Sequence, residues 1–359
     1  MTITIATTTA TDAGERGREF GEAWASEIRA TWHQYERLFA AHSIDQGAVR
    51  DIAVRTLDDV QEWSEPHATE LRALASGAGL DDWQVVALNT RSEVLTRSKL
   101  GVPGECSTVI HLPPGGGTPR TIQTWDWQHD MTDVKVVWRY QPRSDVTVKT
   151  FTEFGVLGKV GVNSHGLGLH FNLLQHVADG EGIGIPVHLV ARRILDEATS
   201  VDGVEAIVRD TSVTASVALT VVAPEGDGFT ARSFELSPVG VASLSLNEEG
   251  FVFHTNHFVD PGLASGERLG LTDEDTYARL KELDRRSDLF ASDDFHARVE
   301  ALVHHAEDGA GLCCHPGPAD VPGDSWATQL VVGLELDRAG LVFQDGGPCT
   351  ASQSGYVRF

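Results

Sequence analysis

Gly101-Val102-Pro103-Gly104-Glu105-Cys106-Ser107-Thr108-Val109-Ile110 is where the chain changes character. Proline and two glycines stop the preceding helical pattern, and β-branched residues with close-set glycines follow. Upstream, Phe20, Trp24, Ile28, Trp32, Tyr35, Leu38 and Phe39 recur at helical spacing, which predicts one long amphipathic helix over residues 12–41. Further helices are expected over 49–63, from Pro66 to the Gly77–Gly79 stop, and from Asp81 through Leu95.

Downstream, strand composition covers 106–112, 120–127, 134–140, 146–151, 157–163 and 167–174, which reads as an antiparallel meander. Helices are expected over 186–198 and 201–209, with the first opened by Pro186. Strands return at 217–223, 229–236, 240–246 and 251–256, followed by helices over 273–289 and 293–305. Residues 329–336 and 341–344 close the chain as strands. Runs of strands alternating with runs of helices predict an α+β fold with antiparallel sheets.

The 359 residues carry 28 lysines and arginines against 52 aspartates and glutamates, a formal charge of −24. Such a surface speaks against nucleic acid and anionic membranes as partners. The start, MTITIATTTATDAGERG, lacks the basic and apolar regions of a signal peptide, and no later run has the length of a membrane span. Four cysteines do not make a disulfide framework, so a cytoplasmic, reducing location is expected.

Common motifs exclude several chemistries. G-x-S-x-G and H-E-x-x-H are absent. Gly158-Lys159 is followed by Val160, where a P-loop needs a hydroxyl for magnesium, so the glycines from Gly155 to Gly168 are read as tight turns and close sheet packing. His254 and His257, and the group His304, His305, Cys313, Cys314 and His315, show no recognised zinc-ligand spacing. No metal or cofactor is therefore expected.

Cys106 taken alone would pass for a small buried apolar residue. Its neighbourhood says more. Cys106-Ser-Thr-Val-Ile, Thr124-Trp125-Asp126-Trp127, the run from Phe154 to Gly166, and His254-Thr255-Asn256-His257 occur in this order. Together they resemble the acyl-coenzyme A:6-aminopenicillanic acid acyltransferase family (isopenicillin N acyltransferase-like, peptidase family C45). Glu70-Leu71-Arg72, Asn89-Thr-Arg91-Ser-Glu93 and Gly346-Gly347-Pro348-Cys349 extend the resemblance over nearly the whole chain.

The resemblance implies an N-terminal-nucleophile cysteine hydrolase or acyltransferase with a four-layer α/β/β/α sandwich. It also implies self-cleavage between Glu105 and Cys106. Residues 1–105 would become a helical precursor piece and 106–359 a β-rich catalytic piece, an α/β heterodimer forming one structural domain. The freed α-amine of Cys106, with an ordinary pKa of about 7.7–8, would act as the base for its own thiol. Asp126 would hold the Cys106 ammonium. Alternation places Ile122, Thr124 and Asp126 on one strand face, with Trp125 and Trp127 on the other. Asn256 would donate to the oxyanion, with Asn172 in His170-Phe171-Asn172 as a second donor.

Trp125, Trp127, Ser325 and Trp326 are the candidate substrate-binding residues. Two departures stand out: Glu105 replaces the glycine of the penicillin-processing member, and Trp326 occupies the place of an arginine after the serine. The leading expectation is hydrolysis of a small N-acylated amine or peptide-like amide through a thioester on Cys106. The alternatives are acyl transfer from a coenzyme A thioester to an amine, which −24 steers poorly, and a non-catalytic relative that kept the fold.

Overall fold

The structure is a computed structural model that describes residues 3–98, 106–268, 270, 274–317, 325–350 and 355–359. The break at Gly101 to Gly104 and Glu105 of the expected cleavage site lie outside the described residues. Strand β1 (Thr4–Thr7) precedes the helices α1 (Ala13–Ala23), α2 (Ala25–Ala41), α3 (Gln46–Trp63), α4 (Glu65–Ala78), α5 (Asp82–Asn89) and α6 (Arg91–Leu95). Next come β2 (Thr108–His111), β3 (Arg120–Gln128), β4 (Lys135–Arg143), β5 (Val146–Glu153), β6 (Val160–Asn163) and β7 (Gly168–Leu174). Helices α7 (Val187–Glu197) and α8 (Val201–Arg209) lead to β8 (Ser216–Glu225), β9 (Gly228–Ser237), β10 (Gly240–Ser245) and β11 (Phe251–His254). The last elements are α9 (Asp275–Arg285), α10 (Ser287–Phe290), α11 (Phe295–Ala301), β12 (Trp326–Glu335), β13 (Gly340–Asp345) and β14 (Val357–Arg358).

The strands form two sheets, β1-β4-β5-β6-β7-β8-β9-β10 and β11-β2-β3-β12-β13-β14. Helices cover both outer faces, giving the α+β sandwich. Val109, Ile122, Val331 and Val342 pack against Leu283, Phe290, Phe295 and Val299, which seats α9–α11 on the six-stranded sheet. Trp125 and Trp127 belong instead to the main core. The two-residue alternation of β3 therefore serves two cores at once.

Three expectations are corrected. The 106–174 strands are not one meander: β2 and β3 join the six-stranded sheet, while β4–β7 build the other. Strand composition records burial, not which of two sheets a strand joins. The sheets are also not purely antiparallel, because β1 pairs in parallel with β4, Thr4 opposite Val136. Finally, the first long helix breaks at Trp24 (φ −122°, ψ 29°), whose indole packs 5.4 Å from the Phe154 ring.

Helices α1 and α4 approach closely at glycines. A Cβ on Gly17 would stand 2.4 Å from the Glu70 carbonyl oxygen, and one on Gly21 would stand 2.5 Å from that of Leu74. This contact aligns Arg16 with Glu70, whose carboxylate accepts from Arg16 Nη2 at 2.6 Å and Arg192 Nη2 at 2.9 Å. Arg192 also holds Asp196 at 2.8 Å, and Tyr140 donates to Asp196 at 2.7 Å. These buried charges tie α1 and α4 to α7 and β4. Among the described residues no helix is long and apolar enough to cross a membrane.

Candidate active site

Cys106 lies two residues before β2 and is 5% exposed. Its backbone N–H donates to Asn256 Oδ1 at 2.7 Å. Its carbonyl accepts from Asn172 Nδ2 at 3.0 Å and from Arg279 Nη1 at 3.1 Å. Three side chains from β7, the β11–α9 connection and α9 thus fix this one residue on both sides.

Each is itself anchored. Thr108 Oγ1 donates to Asn172 Oδ1 at 2.7 Å. Asn256 donates through Nδ2 to Leu173 O at 2.9 Å, and its backbone N–H donates to Thr276 Oγ1 at 2.9 Å. The loop that carries it is held by Glu235, which faces His254 Nε2 at 2.9 Å and accepts from Asp260 N at 3.0 Å. Arg279 Nη2 donates to Asn256 Oδ1 at 3.1 Å and Nε to Asp275 Oδ2 at 2.9 Å.

The thiol environment is set by burial first and by charge second. Burial first, and the carboxylate of Asp126 second, push the Cys106 thiol up to about 12; the Asp126 backbone N–H, Lys159 and Arg279 pull the other way. Thr124 links the two strands by accepting from Ser107 N at 3.0 Å. Lys159 sits 4.2 Å over the Trp125 ring and donates to Glu153 Oε2 at 2.5 Å. Burial draws Lys159 down to about 7, with Glu153 opposing that shift and Arg91 adding to it. Against burial, which raises it, Arg91 and Lys159 hold the Glu153 carboxyl below its ordinary range. Tyr35 also donates to Glu153, and Arg91 Nη2 does so at 2.5 Å.

Of the residues expected from sequence, Cys106, Asp126, Asn172 and Asn256 converge. Asn256 meets Cys106 through its side-chain oxygen, which accepts from the backbone nitrogen. Trp125 and Trp127 are buried, and Trp326 crosses Trp127 edge-on at 5.4 Å. Ser325 lies at the start of β12, where its carbonyl accepts from His129 N at 2.7 Å. Among the described residues no hydrogen bond joins it to the Cys106 group.

Arg279 and Lys159 were missed. Arg279 shares a helix face with Thr276 and Leu283, all three buried, so an arginine on an otherwise inward stripe was the available signal. Lys159 interrupts the run Phe154-Gly-Val-Leu-Gly-Lys-Val-Gly-Val, whose neighbours are all buried.

The family described as acyl-coenzyme A:6-aminopenicillanic acid acyl-transferase matches residues 115–314. The chain belongs to this family. The 40 kDa form of acyl-coenzyme A:6-aminopenicillanic-acid-acyltransferase from Emericella nidulans is 30% identical over 213 residues, 57% of this chain and 55% of that protein. The chain spans about half the length of the curated relative it matches. Solved structures similar to this family member include penicillin V acylase from Agrobacterium tumefaciens (14% identity, TM-score 0.47, covering 71% of this chain and 86% of that one). A second is the Caenorhabditis elegans ortholog of N-acylethanolamine-hydrolyzing acid amidase, at 12% identity and TM-score 0.42, covering 65% and 97%. The R18L variant of conjugated bile acid hydrolase from Clostridium perfringens has 13% identity and TM-score 0.42, covering 70% and 92%.

Proposed function

We propose that the protein is a self-processing N-terminal-nucleophile cysteine amidohydrolase that cleaves a small N-acylated amine through a thioester on Cys106. The observation that carries this reading is the fixation of Cys106 by Asn256 on its nitrogen and by Asn172 and Arg279 on its carbonyl. A purely structural cysteine does not call for three buried polar side chains around its backbone.

In processing, the Cys106 sulfur attacks the carbonyl carbon of Glu105. The C–N bond breaks, the nitrogen takes a proton, and water hydrolyses the thioester to leave a carboxylate on Glu105 and a free amine on Cys106. Residues 1–105 and 106–359 then remain together as one domain of two pieces. Before the cut the thiol stands near 12. Afterwards the α-amine, held at Asn256 Oδ1 and facing the Asp126 charge, takes the thiol proton.

In turnover, sulfur attacks the substrate amide carbon and the oxyanion forms. Asn256 has a second N–H beyond the one on Leu173 O, and it supplies a donor there. The ammonium protonates the leaving amine; the now neutral α-amine takes a proton from water, which attacks the thioester carbon, and the C–S bond breaks to release the acid and restore the thiol. Lys159 and Arg279 favour the anionic sulfur. Trp326, edge-on to Trp127, and Ser325 form the substrate wall, and the free thiols suit a reducing, cytoplasmic setting.

Acyl transfer is the second reading, favoured by the relative that is itself an acyltransferase. An N-acylated 6-aminopenicillanic acid incubated with the enzyme separates the two. Release of the free acid at a rate insensitive to added amine supports hydrolysis. Amine-dependent product from an acyl-coenzyme A, outrunning hydrolysis, reverses the order. Cys106→Ser with full turnover would refute both.

A further inference from the structure

His305, Cys313, His315 and Cys349 come together outside the Cys106 site, and their ligand atoms all lie within 4.8 Å of one another. His315 Nε2 stands 3.3 Å from both Cys313 Sγ and Cys349 Sγ. The rings of His305 and His315 are 5.0 Å apart. Zinc bonds of about 2.3 Å to sulfur and 2.0–2.1 Å to nitrogen give tetrahedral edges of roughly 3.4–3.8 Å, close to these separations.

We propose that these four residues bind one zinc ion as a closed structural site, Cys2His2 in composition. His305 carries the second observation. Its Nε2 is shielded from solvent and has no hydrogen-bond partner among the described residues, while its Nδ1 faces Glu307 at 4.0 Å and Asp308 at 3.9 Å. Two thiolates and two neutral imidazoles balance a dication. Soft sulfur with imidazole at tetrahedral spacing selects zinc over calcium or magnesium, and four protein ligands leave no position for water.

The site would clip three separate pieces of chain. Cys313 N donates to His304 O at 2.9 Å, and Cys314 and Thr328 exchange bonds, Cys314 N to Thr328 Oγ1 at 2.9 Å and Thr328 N to Cys314 O at 3.1 Å. Thr328 pairs with Asp126 across β12 and β3. Cys349 arrives on the 3-10 turn Pro348–Thr350, immediately after β13. The metal thus braces the strand next to the one that carries Asp126. The exposure of His315, with His305 and Cys349 half-buried, gives it an entry path.

Full-length protein, purified without chelator, should contain one equivalent of zinc by elemental analysis. After exchange with cobalt(II) it should show the intense visible bands of tetrahedral cobalt and thiolate-to-cobalt charge transfer in the near ultraviolet. Cys349→Ser and His305→Ala should each weaken cobalt binding by about 100-fold, whereas Cys314→Ser should bind as wild type does. The site is overturned by a wild-type spectrum without thiolate charge transfer, even if no variant can be purified. It is equally overturned by zinc content unchanged in Cys349→Ser, or by a Cys313–Cys349 disulfide in freshly isolated protein.

Discussion

The backbone nitrogen of Cys106 donates to Asn256 Oδ1 at 2.7 Å, and the same oxygen accepts from Arg279 at 3.1 Å. Asn256 therefore orients the atom proposed to become the catalytic amine. Asn256→Leu leaves two buried donors without an acceptor and should slow turnover about 100-fold. Asn256→Asp keeps an acceptor and should still cut itself. Initial rates and intact mass on the same samples check both statements.

Arg279 links Cys106 O, Ser107 Oγ, Asn256 Oδ1 and Asp275. Lysine cannot span these four directions. Arg279→Lys should therefore lose about 2 kcal/mol of stability in urea and at least tenfold in kcat. Recovery of wild-type rates by lysine would reduce Arg279 to a simple positive charge.

His170 holds β7 beside Asn172 by facing Gln123 Oε1 through Nδ1 at 2.9 Å. Burial keeps its imidazole neutral down to about 3. The unfolded chain takes up that proton below pH of about 6.5, so the stability His170 provides is complete above that value. It is lost as pH falls toward 3, on the order of 3–5 kcal/mol in full. His170→Asn keeps a donor to Gln123 without the titration. Its melting temperature should fall less steeply than that of wild type between pH 6 and about 4.

The Glu70 carboxylate is shared by Arg16 and Arg192, all three buried. Glu70→Ala leaves Arg16 without its carboxylate partner and Arg192 with Asp196 alone, and should cost about 3–5 kcal/mol in urea unfolding. The same change at exposed Glu62 should cost under about 0.5 kcal/mol.

Much of this was legible in the chain. Apolar spacing located α2, α3, α4, α7 and α8 because each turns one stripe inward, and Asp81 marks the start of α5 by capping. Cys106, Asp126, Asn172 and Asn256 were found through short ordered motifs. Other features depend on tertiary placement. Thr4–Thr7 is polar and repetitive, yet becomes a strand because β4 offers it an edge. Arg279 and Lys159 each stand alone in segments that read as ordinary helix and strand. The four residues proposed for zinc are separated by as many as 44 positions from first to last, so no local spacing announces them.

The most direct measurement is intact mass under denaturing conditions for wild type and Cys106→Ala. The account predicts two pieces for wild type, of 105 and 254 residues, roughly 11 and 27 kDa, and one uncut chain of 38.8 kDa for the variant. A fully active wild-type protein that remains a single chain, or a Cys106→Ala protein cut at the same bond, would contradict it.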